Sequence, residues 1–325
     1  MARPESRFND FIGQRKSVGH LRRQLEGALA RGEPFPHSLF TGTSGLGKTF
    51  LASAMAAEYK TAVHEAMGDI DRYGLAGKLV ALKPSDFLLI DECHLLHHSA
   101  QELLMRAIDT KRVPALTRDT NGKKLDQPCK DIEIQPWTLI LATDQPGRLL
   151  NALRKRIVIH EHLRPYSLKE LREIVEYMAG QQNLLISHQA AGDIARASMG
   201  IARNARMRLQ SLRLQFIDAE KRQLGRPEVR EYLRSAGISQ TGMDRLQRSY
   251  LRELAKRSNA ALEAMARILG IDESYVQQQI ETPLLRRGLV QIDSRGRQLT
   301  PKGKDLVAHW LGVRQEKGQE TLVGV

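Results

Sequence analysis

Eight consecutive residues, Gly42-Thr43-Ser44-Gly45-Leu46-Gly47-Lys48-Thr49, constrain this chain more than any other feature. They spell G-x-x-x-x-G-K-T, follow the apolar run Ser38-Leu39-Phe40 and open the amphipathic stretch Lys48–Tyr59. A strand, a glycine-rich turn and a helix in that order let backbone N–H groups curl around phosphates at a helix N-terminus. Lys48 is then placed to reach the β- and γ-phosphates, and Thr49 to ligate Mg²⁺. The motif implies an α/β layer that binds ATP.

A second acidic motif sits about forty residues on, where Phe87-Leu88-Leu89-Ile90 runs into Asp91-Glu92. An apolar strand delivers this pair to its C-terminal end, where ligands of open α/β sheets bind. Asp91 is the candidate for the Mg²⁺ shell and Glu92 for polarising the attacking water. The alternative is a strand that ends in a solvated acidic turn. Cys93 most simply fills space behind the strand, and His94 reads as a helix-capping or core histidine.

Residues 1–163 alternate strand and helix patterns, with strands expected at His37–Thr41, Phe87–Asp91, Trp137–Ala142 and Ile157–His160. Ala100–Asp109 reads as an amphipathic helix. The polar run Pro114–Lys130 carries Asn121-Gly122, a hairpin dipeptide, and predicts a β-hairpin inserted over about 112–134. From Tyr166 the strand signals stop. Ser167 and Glu170 form a capping box that opens a helix to about Ala179, and helices are expected at His188–Ala197 and Arg203–Arg222. This predicts an all-helical domain over 164–236, bounded by the charged, Pro- and Gly-broken run Leu224–Gly242.

The block 237–313 reads as three helices, the second and third at Ala261–Leu269 and Glu273–Arg286. A hairpin follows, from Leu289–Ile292 through Arg295-Gly296-Arg297 to Leu299-Thr300. That order is a winged helix, and 314–325 reads as a frayed tail. Two cysteines, Cys93 and Cys129, exclude a disulfide framework or a cysteine metal site. No apolar span or leader is visible, so a cytoplasmic location is expected. A formal charge of +13 suits a polyanionic partner.

Taken together, Phe11-Ile12-Gly13-Gln14, the P-loop and Asp91-Glu92-Cys93-His94 resemble AAA+ ATPases. Arg3-Pro4, Pro136-Trp137-Thr138, the strand through Thr143, Leu153-Arg154-Lys155-Arg156 and the wing narrow the resemblance to the RuvB family, over about Arg3 to Leu311. The resemblance implies an α/β nucleotide domain, a helical lid and a winged-helix domain in a hexameric ring on DNA, with RuvA as adaptor. It implies further that Arg3, Phe11, Ile12, Phe50 and Tyr166 surround the nucleotide, and that Thr143 or Asp144 senses the γ-phosphate. Arg156, or second Arg154, would be the arginine finger reaching a neighbour's ATP. Arg203 would be the lid sensor, although Arg206 and Arg208 crowd it. In the winged helix, Arg295 and Arg297, with Lys302 and Lys304 beside them, would meet DNA phosphates, which position a protein without specifying sequence. For Arg154 and Arg156 the alternative is a solvated basic turn, for Tyr166 hinge packing, and for the winged helix a protein partner.

The pattern departs from the family at several points. Thr117–Lys130 is polar, with Arg118, Lys123, Lys124 and Lys130, where the family has an apolar hairpin tip that docks on RuvA. Thr143-Asp144 puts a carboxylate where a neutral polar pair is usual, and a carboxylate there calls for a proton, a metal or a neighbouring cation. Ala202 replaces a proline before Arg203, and Lys155 replaces an acidic residue. The readings that follow are a DNA translocase that migrates branched junctions, an ATP-switched DNA-binding adaptor or loader, and a transcription regulator with a vestigial ATPase.

Overall fold

The computed structural model describes residues 8, 11–115, 117–118, 124–125, 131–216 and 221–310. Arg3, Asn121-Gly122, Cys129 and the tail lie outside them. The chain divides into two compact units, the first ending at Val229 and the second starting at Arg230.

The first unit begins with helix α1 (Arg15–Arg31), which buries Val18, Leu21, Leu25 and Ala28 on one face. There follow β1 (Ser38–Thr41), α2 (Lys48–Glu58), β2 (Val63–Met67), α3 (Arg72–Val80), β3 (Phe87–Asp91) and α4 (His98–Thr110). Two short antiparallel pairs come next: β4 (Arg112–Pro114), β5 (Thr117–Arg118), β6 (Lys124–Leu125) and β7 (Asp131–Glu133), with β4 on β7 and β5 on β6. The α/β pattern resumes with β8 (Thr138–Thr143), α5 (Asn151–Arg154) and β9 (Ile159–His162).

Five parallel strands form the main sheet in the order β2-β3-β8-β1-β9. All six residues of β8 are buried, as are Phe87–Ile90 of β3, because helices cover both faces and the strands therefore read as unbroken apolar runs. Leu39, Leu88, Leu139 and Leu141 from the sheet pack with Leu75, Leu79, Leu103 and Leu104 from α3 and α4. The register aligns Thr41 with Thr143 and Ile90 with Leu141. The C-terminal ends of β1, β3 and β8 therefore deliver the P-loop, Asp91-Glu92 and Thr143-Asp144 to one edge.

The helical part contains α6 (Leu168–Gln181), α7 (His188–Ala197) and α8 (Ala202–Gln215). Ser167 and Glu170 form both halves of the capping box at α6. Helix α9 (Arg226–Ser235) occupies part of the run that reads as a linker. Its charged residues alternate with Val229, Tyr232 and Leu233, which are buried, so a 3.6-residue period was present beneath the charge.

The second unit contains α10 (Arg245–Ala255), α11 (Leu262–Leu269), α12 (Glu273–Tyr275), α13 (Thr282–Arg286), β10 (Val290–Asp293), β11 (Gly296–Leu299) and α14 (Pro301–Trp310). Between α12 and α13, Val276–Glu281 winds as a π-helix, so the third helix is continuous but locally widened. β10 and β11 pair antiparallel as the wing. Tyr250, Leu254, Met265, Val276, Ile280, Leu284, Leu289 and Leu299 make the core.

Several boundaries differ from the sequence reading. β2, α3 and α14 were not expected, and the last strand of the sheet starts at Ile159 rather than Ile157. Residues 157–158 leave the preceding turn first, and Val158 and Ile159 both donate to His37 O, at 3.1 and 3.2 Å. No helix among the described residues is long and apolar enough to cross a membrane.

Candidate active site

The P-loop is built tightly enough to dictate its glycines. Gly45 has φ +85°, and a Cβ there would lie 2.6 Å from Arg203 Cβ and 2.9 Å from Ile201 Cγ2. At Gly42, φ +136°, a Cβ would lie 2.5 Å from Leu163 O. Helix α2 starts from Gly47 with no side-chain cap, which leaves its first N–H groups available to an anion. Lys48 is 5% exposed and folds back, donating to Gly42 O at 2.7 Å and to Thr43 O at 3.3 Å. Burial holds its ammonium below the usual lysine range, while Asp91, Glu92 and Asp144 pull it upward and Arg203 opposes them.

Thr49 Oγ1 donates to Asp91 Oδ2 at 3.0 Å, and Glu92 N–H donates to Asp91 Oδ1 at 2.9 Å. The Asp91 carboxylate is thus fixed beside a hydroxyl, two hard oxygens of the kind that suit Mg²⁺. Glu92 takes a left-handed backbone, φ 48°, an uncommon conformation for a residue with a side chain. It starts the tight turn Cys93–Leu95, in which Cys93 is buried behind the strand.

The far side of the site contains a cluster that sequence reasoning left unassembled. His94, 9% exposed in its side chain, lies 3.3 Å from Glu92 Oε2 and 4.0 Å from Asp144 Oδ1 through its Nδ1. The same Nδ1 shares a 3.0 Å hydrogen bond with Thr143 Oγ1. Thr143 is fully buried, and its hydroxyl also accepts from Gln145 N–H at 2.9 Å. His94 is therefore not a helix cap; His97 caps α4 by accepting from Ser99 N–H. Only the spacing of Asp91-Glu92-x-His94 and Thr143-Asp144 at adjacent strand ends hinted at this grouping.

The other candidate residues fall into distinct places. Phe11 and Phe50 meet with ring centroids 5.8 Å apart, and the Phe11 ring lies against Gly47. Ile12, next in the chain after Phe11, is partly exposed. Tyr166 is buried, its hydroxyl donates to Leu46 O at 2.7 Å, and its N–H donates to Gly200 O at 2.9 Å. This geometry fits the hinge-packing alternative: the side chain braces the P-loop where the helical part begins, and burial pushes its phenol well up. Arg203 donates through Nη1 to Ser44 Oγ at 2.8 Å. Arg208 instead donates to Ala197 O, at 3.1 Å from Nε and 2.7 Å from Nη2, which separates the two arginines.

Arg156 makes a two-pronged pair with Asp109 of α4, Nε to Oδ1 at 2.8 Å and Nη2 to Oδ2 at 2.7 Å. That partner holds the Asp109 carboxyl below its ordinary range. Arg154 Nε is buried with no hydrogen-bond partner among the described residues. Its side chain lines a cleft of about 600 Å³ with Lys155, Asn151, His160 and His162, along the β1–β9 edge and not over Asp91.

In the winged-helix unit the expected phosphate contacts separate. Arg295 is exposed, 3.7 Å from Asp293. Lys302 is exposed and donates to Arg287 O at 2.9 Å. Arg297 is mostly buried, its side chain 15% exposed. Its Nε donates to Glu281 Oε1 at 3.0 Å, and Glu281 also accepts from Tyr250 O–H at 2.8 Å. Glu281 is 1% exposed, so its charge needs an internal partner, and Arg297 supplies it.

A P-loop lysine, an aspartate bonded to the P-loop threonine and an adjacent glutamate on one parallel-sheet edge, with Arg203 of α8 bonded to the P-loop, define a P-loop ATPase of the AAA+ type. Two family models match the chain, "Holliday junction DNA helicase RuvB P-loop domain" over residues 2–163 and "RuvB C-terminal winged helix domain" over 240–308. The chain belongs to the RuvB family. It is 31% identical over 308 residues to the Holliday junction branch migration complex subunit RuvB of Prochlorococcus marinus, covering 93% of this chain and 85% of the relative. To the Thermotoga maritima RuvB it is 32% identical over 305 residues, covering 92% and 90%. The solved T. maritima RuvB Holliday junction branch migration motor superposes with a TM-score of 0.78 at 31% identity, covering 96% of this chain and 99% of that one.

Proposed function

We propose that the chain is a ring-forming, ATP-driven DNA translocase that migrates Holliday junctions in the cytoplasm, with a RuvA-like adaptor and a hexameric ring. The observation that carries this reading is the shared edge on which Lys48, the Thr49–Asp91 pair, Glu92 and Arg203 converge. On this reading 1–163 form the nucleotide domain, 164–236 the lid and 237–313 the DNA-binding domain.

The residues divide the work by chemistry. Lys48 neutralises the β/γ-phosphates as it exchanges its carbonyl partners for phosphate oxygens. Thr49 and Asp91 hold Mg²⁺, which when bound neutralises phosphate charge. Glu92 orients the attacking water and takes up its proton. Thr143 positions that region through His94. Arg203 ties the lid to the P-loop, so loss of the γ-phosphate alters a lid contact directly. Arg156 reaches a neighbouring subunit's ATP, prepositioned by Asp109, with Arg154 as the alternative. Phe11, Ile12 and Phe50 contact the base, and Arg295 and Lys302 contact DNA phosphates.

The test is movement of a synthetic four-way junction by the purified protein, with and without a RuvA, at several ATP concentrations. The expected result is ATP-dependent migration that Lys48→Ala abolishes. Strand displacement surviving in Lys48→Ala sinks the motor assignment. A second reading, an ATP-switched adaptor, is favoured by Asp144 beside the γ-phosphate seat. It predicts ATP-dependent assembly with slow turnover and no migration.

A further inference from the structure

Three groups converge opposite the P-loop: the Glu92 carboxylate, the His94 imidazole and the Asp144 carboxylate. One ligand atom from each lies within 4.8 Å of the other two. His94 sits between the carboxylates with Nδ1 nearest Glu92 at 3.3 Å; that nitrogen also bonds Thr143 Oγ1, so an ion bound there takes the place of the Thr143 bond. The set is one nitrogen and two carboxylates on well-placed elements, because Glu92 and His94 leave β3 and Asp144 leaves β8. Asp91, the magnesium candidate, takes no part in it, since its two oxygens are bonded to Thr49 and to Glu92 N–H.

The charges around this group are unbalanced toward the negative. Asp91, Glu92 and Asp144 all act on the single ammonium of Lys48. With a nucleotide seated, Lys48 faces phosphate oxygens as well. Arg203, the other nearby cation, is bonded to Ser44. Asp144 is exposed, with His94 Nδ1 4.0 Å away, so the group sets two carboxylates against one imidazole and stays open to an ion from solvent.

The geometry points to a second divalent-cation site, formed by Glu92, His94 and Asp144, that takes a Zn²⁺-class ion and brakes ATP hydrolysis. This rests on the ATPase reading for the brake, though not for the site. Imidazole with carboxylates selects Zn²⁺ or Co²⁺ over Mg²⁺, which prefers oxygen ligands alone. Three protein ligands leave the ion a free position for water or a phosphate oxygen. The brake follows from Glu92: a carboxylate ligated to a cation is no longer the base that activates water. ATP remains bound, because Lys48, Thr49 and the P-loop backbone are untouched.

The test uses the full-length, nucleotide-free protein in excess Mg²⁺, titrated with Co²⁺ and read by its visible absorption, then displaced with Zn²⁺. The expected result is one equivalent of Co²⁺, bound at least tenfold more weakly by Asp144→Asn and by His94→Gln. Circular dichroism checks that both variants fold. Zn²⁺ added to the wild-type protein stops ATP turnover while a fluorescent ATP analogue stays bound. The site is overturned if no equivalent binds in excess Mg²⁺, or if binding survives both substitutions. It is also overturned if His98→Ala, which breaks the exposed His98–Glu102 pair, removes the signal. Binding without any fall in turnover overturns the brake. Co²⁺ absorption needs no hydrolysis, so a chain that binds Co²⁺ but, assayed in Mg²⁺ alone, moves no junctions sinks the motor reading alone.

Discussion

Arg156 and Asp109 form a two-pronged ion pair between the segment after α5 and the last turn of α4, with both prongs under 3 Å. The pair fixes a guanidinium that is only about a third exposed. If that guanidinium completes a neighbour's site, Asp109 is the residue that aims it. Arg156→Ala should lower turnover by roughly 10³-fold or more. Asp109→Ala should lower it by up to about 10²-fold, through mispositioning alone. ATP affinity, measured with a fluorescent analogue, should be nearly unchanged in both. Normal hydrolysis by a homogeneous Arg156→Ala ring moves the role to Arg154.

His37 ties stability to pH. Its Nδ1 accepts Leu139 N–H at 2.9 Å, and burial lowers its pKa from 6.5 to about 4. The unfolded chain binds a proton between those values and the folded chain does not. Stability conferred by the neutral ring is therefore complete above pH 6.5 and falls as pH drops toward 4, by about 3 kcal/mol at most. Denaturant titrations at pH 7 and pH 4.5 measure this, and His37→Gln should flatten the difference.

In the winged helix, two neighbouring arginines should separate cleanly. Arg297→Ala strands the buried Glu281 charge and should cost about 3–5 kcal/mol of that unit's stability. Arg295→Ala should leave stability within about 0.5 kcal/mol. It should instead reduce the slope of log K against log salt for DNA binding by about 0.9. A DNA-binding loss in Arg297→Ala without any loss of stability contradicts this assignment.

Gly45→Ala tests the packing of Ile201 and Arg203 on the P-loop. The added methyl meets Arg203 Cβ and Ile201, and φ +85° disfavours any side chain. The expected outcome is ATP binding weakened at least tenfold, read by analogue titration, with the strain costing about 1–3 kcal/mol.

Much of the site was legible because its residues lie in short runs whose spacing has a chemical meaning. Gly42–Thr49 and Asp91-Glu92 are each contiguous, and a buried strand announces itself as an apolar run. β2 was not legible: Val63-His64-Glu65-Ala66-Met67 is an edge strand with one buried residue, and it lacks such a run. Arg297 was misjudged because a wing arginine reads as exposed. The carboxylate that turns it inward, Glu281, lies sixteen positions away on a widened helix. The His94 cluster needed the parallel register of β3 and β8, which no local pattern encodes.

That widened helix has a bearing on insertions and deletions. A single wide turn absorbs one extra residue while the residues before and after it keep their own faces. Val276 and Leu284 both point into the core across Val276–Glu281. Dropping one glutamine from Gln277-Gln278-Gln279 would let the turn close to ordinary α winding with both anchors still inward. Dropping a residue from a regular turn of the same helix would swing everything beyond it by about 100° and strip the core. In lineages related to this chain, length changes in the third helix should therefore concentrate in the glutamine run.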